Sequence, residues 1–200
     1  MGVKWKTTID RLPEMQERAK LLPKKKVEVG VFDGEHAWLA SIHEYGMTIT
    51  PKKSQYLTVP VSPKSAGRNA RSFSDLWTLK SDSGELFLCR NTGKDKFEIL
   101  YWLTKSVHIP ERSFLRAGHD KEAERVIKQT ERAIGQVLGG KMSLDELYRE
   151  CGKQMATAIK EYAASLNTPP KSWATKETTG NDNPLVATGD MIEHISWRVE

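Results

Sequence analysis

Two long apolar stripes separated by a pair of glycines constrain this chain most. Ala123, Val126, Ile127, Thr130, Ala133, Ile134, Val137 and Leu138 recur at helical spacing and predict a helix over 113–139. Gly139-Gly140 ends it, and Ser143 with Glu146 has the spacing of a capping box, so a second helix starts there. Its stripe is Leu144, Leu147, Tyr148, Cys151, Met155, Ala158, Ile159 and Tyr162, and Pro169-Pro170 bars continuation. Two long helices joined by so tight a turn are expected to pack antiparallel.

The flanks supply strands. Val27, Val29 and Val31 alternate with Glu28 and Gly30 as a half-buried strand does, and Ile195, Trp197 and Val199 repeat the pattern within a final strand expected over 192–199 and paired in the main sheet. Ile9, Leu12, Met15, Ala19 and Leu22 predict a helix over 7–22, with Pro13 tolerated near its start. After the Asp33-Gly34 turn, Ala37, Leu39, Ala40, Ile42, His43 and Tyr45 predict a short helix closed by Gly46 as a left-handed cap. Residues 167–183 are polar and uncapped, and read as a loop or an arm.

Between 47 and 110 the helical period vanishes and Pro51, Pro60, Pro63 and Pro110 punctuate the chain. Tyr56–Val61, Leu76–Lys80, Leu86–Arg90 and Phe97–Thr104 read as strands, with Ser83-Gly84 and Thr92-Gly93 as turns and a polar loop over 64–74. The expected fold class is therefore α+β: a small, mainly antiparallel sheet packed against a long antiparallel two-helix hairpin. Residues 1–46 and 109–200 form the core domain, and 47–108 form an inserted β-rich lobe.

Composition narrows the function classes. Charged residues make up 28% and apolar ones 38%, wetter than an average domain, so much of the chain should face solvent or a polar partner. A net charge of +5 permits nucleic-acid contact without requiring it, and Lys24, Lys25 and Lys26 read first as a solvated loop. Cys89 and Cys151 form no disulfide framework and fit a reducing compartment as small hydrophobes. No apolar run approaches the ~18 residues of a membrane span, and residues 1–6 lack the apolar stretch of a signal peptide.

No set of residues in the sequence has the pattern of a catalytic or metal site. His43-Glu44 begins like a zinc-protease motif, but Met47 stands where the second histidine is needed. His36 and His43 share a helical face without a third ligand nearby. Cys151 lies on an apolar stripe, where thiols are usually inert. Gly93-Lys94 and Gly140-Lys141 lack the spacing of a phosphate loop. The expectation is no catalytic residue, no cofactor and no metal. A loop bearing Lys64, Arg68, Arg71 and Phe73 can hold a phosphate backbone or an acidic protein surface, against the plainer reading of a solvated loop.

Three segments, in order, carry a resemblance. They are Ala40-Ser41-Ile42-His43-Glu44-Tyr45-Gly46, then Ile109-Pro110-Glu111-Arg112-Ser113-Phe114-Leu115-Arg116, then Asn183-Pro184-Leu185-Val186-Ala187-Thr188-Gly189-Asp190-Met191-Ile192 running into Ile195–Val199. Together they resemble the virion-morphogenesis, or tail-completion, family of tailed bacteriophages, with Ala187 standing where that family often has Asp. The resemblance implies a structural subunit of the neck of the virion, made in the host cytoplasm, which completes the tail or joins it to the head by assembly and not by catalysis. It implies a homo-oligomeric ring of about six copies, built through heterologous interfaces. The neighbours implied are a head–tail adaptor or portal-side protein and a tail tube or terminator protein, with non-specific contact to DNA in the channel and none to membrane. The loops at 47–55 and 167–183 would be arms ordered on assembly.

Glu44, Tyr45, Arg112, Arg116 and Asp190 are the candidate subunit-interface residues. Arg112 has two readings, a carboxylate partner across a subunit boundary or an intramolecular salt bridge. Gly46 and Gly189 suit positive φ, Phe114 can anchor the helix entry, and Thr188 can cap the last short helix. The alternative function is a phage DNA-binding or packaging accessory protein using Lys24–Lys26 and Arg68–Arg71.

Overall fold

The computed structural model describes residues 10–180, 182–186 and 189–200; Ile9, Ala187 and the cap expected at Thr188 lie outside the described residues. The frame is the predicted hairpin. Helix α3 spans Phe114–Leu138 and helix α4 spans Leu144–Ser165. Thr130 meets Cys151 near the turn, while Gly118 lies against Ile159 and Tyr162 at the far end, which only an antiparallel pair allows. The turn closes as the sequence predicts. Gly140 takes a φ of 72°, its N–H donates to the Val137 carbonyl, and the Lys141 N–H donates to that of Gln136, the paired bonds of a Schellman motif. At the start of α4 the Ser143 hydroxyl accepts from the Glu146 N–H while the Ser143 N–H donates to the Glu146 carboxylate.

A two-stranded antiparallel sheet covers α4. Strand β1, Val27–Val31, pairs with the last strand of the chain, Ile195–Val199, in the register Val27 to Val199 and Val31 to Ile195. Trp197 lies so close to α4 that a Cβ on Gly152 would sit 2.7 Å from its ring. Helix α2, Gly34–Tyr45, follows β1 and adds Ala40 to a core of Phe114, Ile159, Ala163, Leu185 and Met191.

The segment between α2 and α3 leaves through a short ribbon, β2 (Met47–Ile49) paired antiparallel with β7 (Val107–Ile109). Beyond it lie β3 (Leu57–Pro60), β4 (Leu76–Lys80), β5 (Leu86–Gly93) and β6 (Lys96–Thr104). They form an antiparallel sheet in the order β3-β6-β5-β4 around buried Cys89, Leu100 and Tyr101. Tyr101 donates its hydroxyl to the Arg68 carbonyl and Ser65 donates to that of Leu100, which ties the 64–74 loop to this sheet.

Several expectations need correction. The first helix, α1, covers Leu12–Leu21 and buries none of its residues, so its apolar stripe is not a core contact. Gly46 closes α2 at φ 71° and ψ 160°, outside the left-handed helical well; glycine is required because a Cβ would stand 2.8 Å from the Glu111 nitrogen. Residues 167–183 are not an uncapped arm. Helix α5, Trp173–Thr179, is capped by Ser172, whose hydroxyl accepts from the Thr175 N–H, and it ends on left-handed Gly180. The Trp173 ring lies 5.9 Å from that of Trp102 on β6, so α5 bridges the core and the four-stranded sheet. The last strand, labelled β8, starts at Ile195, because Ile192 belongs to the short helix α6, Asp190–Glu193. Its sheet has two strands and is separate from that of 57–104.

Candidate functional site

Two of the resembling segments meet at the junction of α2 and α3. Ile109-Pro110 arrives extended from β7, and Ser113 turns the chain into α3 at a φ of 25°. No side chain of α3 caps its first turn. Glu44, from the last turn of α2, does so instead. Its carboxylate accepts from the Leu115 N–H at 2.8 Å, the Arg116 N–H at 3.1 Å, the Ser113 hydroxyl at 3.2 Å and the Arg116 Nε at 2.8 Å. Buried to 2% exposure, it neutralises donors that the helix itself cannot satisfy and sits at the positive end of the helix dipole.

Arg112 is the second clamp. Its backbone N–H donates to the His43 carbonyl, its Nε and Nη2 donate to the carbonyls of Pro169 and Pro170, and its Nη1 donates to His43 Nδ1 at 3.1 Å. At 7% exposure it makes no intramolecular salt bridge, since carbonyls and an imidazole, not a carboxylate, receive its protons within the chain. Burial first, and the positive charge of Arg112 second, together lower the pKa of His43 from 6.5 to about 4. His43 is thus a neutral acceptor at physiological pH. Burial also lowers the Arg112 pKa from its ordinary value.

Outside this buried pair the junction reaches the surface. The Arg116 guanidinium donates to Glu111 at 2.7 Å and covers the ring of Tyr45 at 4.8 Å. Tyr45 is 65% exposed, and Trp38, two turns earlier on α2, is 58% exposed, so this helix shows an aromatic stripe to solvent. Arg116 also lines a groove of about 700 Å³ between α3, α4 and β1. Val29, Val126, Ile134, Met155 and Ile159 line that groove, and Ile127 beside them is 55% exposed.

The candidate interface residues therefore divide. Glu44 and Arg112 are interior and hold the fold. Tyr45 and Arg116 reach the surface. Asp190 is elsewhere, at the start of α6, where its carbonyl accepts from the His194 backbone and ring. His36 and His43, paired in the sequence reading, belong to separate groups: His43 meets Arg112, and His36 meets Asp33 and His194. Lys171 sits in a polar run and carries no sequence signal. It is buried and donates to the Val186 carbonyl and the Thr179 hydroxyl, which pins α5 to the third segment.

Part of each basic cluster is engaged within the chain. Lys25 pairs with Asp145 at 2.9 Å, Lys64 with Glu98 at 2.6 Å, and the Arg68 guanidinium lies 4.1 Å over the Phe73 ring. Of the two thiols, Cys89 is buried with its pKa pushed up by desolvation, and Cys151 receives the Thr130 hydroxyl inside the hairpin. No helix among the described residues is long and apolar enough to cross a membrane. No protein-family model, curated protein or solved structure matches this chain.

Proposed function

We propose that this chain is a structural subunit of a tailed-phage neck, acting as one member of a ring that completes the tail or joins it to the head. The observation that carries the reading is the meeting of the three resembling segments in one place. Glu44 of the first caps the helix begun by the second, and Leu185, Met191, Ile192 and Ile195 of the third share a core with Ala40 and Phe114. Residues so far apart in the chain and yet mutually dependent are what a common architectural motif consists of.

Two different apolar surfaces, the α3–α4–β1 groove and the Trp38–Tyr45 stripe, suit head-to-tail contacts between copies, because a ring needs two unlike patches per subunit. The test is mass by light scattering, alone and with the tail tube protein, for the natural chain and for Ile127→Glu and Trp38→Glu. The natural chain is expected to form a closed oligomer, alone or with its neighbour, and each folded variant is expected to stay monomeric. A natural chain that remains monomeric in both conditions, or variants that assemble as it does, contradicts the reading.

A further inference from the structure

Asp33, His36 and His194 come from opposite ends of the sequence and meet at one point of the surface. Asp33 precedes α2, His36 lies in its first turn, and His194 lies between α6 and β8. We propose that these three residues form a divalent-metal site of the zinc class, which clips the α6–β8 corner to the start of α2.

The donor spacing is the first argument. His36 Nδ1 lies 3.4 Å from Asp33 Oδ1, His194 Nε2 lies 3.3 Å from Asp33 Oδ2, and the three ligand atoms fall within 4.8 Å of one another. A tetrahedral zinc with bonds of ~2.0–2.1 Å holds its donors roughly 3.4 Å apart. Two imidazoles and one carboxylate are the ligand types that such an ion takes in open sites, with a fourth position left to water.

The second argument is the tautomer. His194 Nδ1 is 2.7 Å from the Asp190 carbonyl, which can only accept, so Nδ1 carries the proton. Nε2 is thereby left as the ring nitrogen that faces the Asp33 carboxylate, at 3.3 Å, where a shared ion would sit. A backbone carbonyl that orients a histidine through its other nitrogen is the usual outer support of a metal ligand.

The third argument comes from Asp33 itself. It occupies the N-cap of α2, where an aspartate ordinarily accepts from the first turn, yet its side chain makes no cap hydrogen bond. The carboxylate faces the imidazoles instead. These rings are stacked, with centroids 3.8 Å apart and planes 11° from parallel, so one ring must turn for both nitrogens to face a single ion. His194 is exposed and His36 half-buried, so the rings have room to swing their lone pairs onto one ion.

The experiment is a Co²⁺ titration followed by visible absorption and a Zn²⁺ titration by calorimetry, on the full chain and on His36→Ala, His194→Ala and the control His119→Ala. One ion per chain is expected, with the natural affinity kept in the control and weakened on the order of 100-fold in the other two. Zinc should also raise the melting temperature reversibly, because it binds the folded state alone. Should an alanine variant fail to fold, Asp33→Asn, which keeps the side-chain volume, serves in its place. No saturable uptake by the natural chain, or uptake that survives loss of both His36 and His194, overturns the proposal.

Discussion

Replacing Glu44 with alanine should cost more than any surface substitution in this chain. The carboxylate serves two backbone donors of α3, at 2.8 and 3.1 Å, which have no other partner in the helix. A hydrogen bond to a charged group contributes about 1.5–3 kcal/mol, and a buried donor left without one loses that contribution. Two such bonds give about 3–6 kcal/mol, and the charge at the helix terminus adds about 0.3–1 kcal/mol. The ion pair with Arg116 adds little, because that guanidinium is half exposed and keeps Glu111. Water can enter beside it, so the lower part of the range applies, about 3–4 kcal/mol. Glu44→Gln keeps one acceptor oxygen but turns a donor toward the N–H groups, and should cost about 1–2 kcal/mol. Urea unfolding at neutral pH, followed by far-ultraviolet circular dichroism and tryptophan fluorescence, measures both. A loss below ~1 kcal/mol for Glu44→Ala would refute the assignment of this carboxylate as the cap of α3.

Two further perturbations test other parts of the fold. His43 has a folded pKa of about 4 against an ordinary 6.5, so the unfolded chain takes up a proton there first; the stability this contributes is complete above pH 6.5 and is lost as pH falls through 4, by up to roughly 3 kcal/mol. Urea midpoints at pH 7 and pH 4.5 should therefore fall more steeply for the natural chain than for His43→Gln, and equal falls would contradict the buried neutral imidazole. Gly152→Ala places a Cβ 2.7 Å from the Trp197 ring, so thermal melts should show a loss of about 1–3 kcal/mol from overpacking; an unchanged midpoint would mean that β8 does not sit on α4 as described.

What could be read from the sequence was whatever repeats within a few residues. The α3 and α4 stripes, the Gly139-Gly140 stop and the Ser143–Glu146 box are local signals, and the structure has each where the spacing puts it. The four strands of 57–104 appear close to where they are expected, but Thr92-Gly93 is not the turn: both residues lie in β5, Gly93 pairs with Lys96, and the chain reverses at Lys94-Asp95 with Asp95 at a φ of 58°. Strands β2 and β7 have three residues each, too few for alternation to register. Helix α5 was missed because only Ala174 is buried in it, and its other side chains are those of a loop. The site posed a different difficulty. Glu44 and Arg112 looked like surface charges because nothing local distinguishes a carboxylate that caps a helix 70 residues away from one in solvent. Asp33 and His194 lie at opposite ends of the sequence, and no spacing rule links them.

We propose that this chain sits at the neck of a phage particle. Gold labelling of the chain in purified particles of the phage that encodes it, viewed by electron microscopy, tests that most directly. A single focus of label at the junction of head and tail is the predicted result. Label spread through the capsid shell, or absent from mature particles, would contradict it.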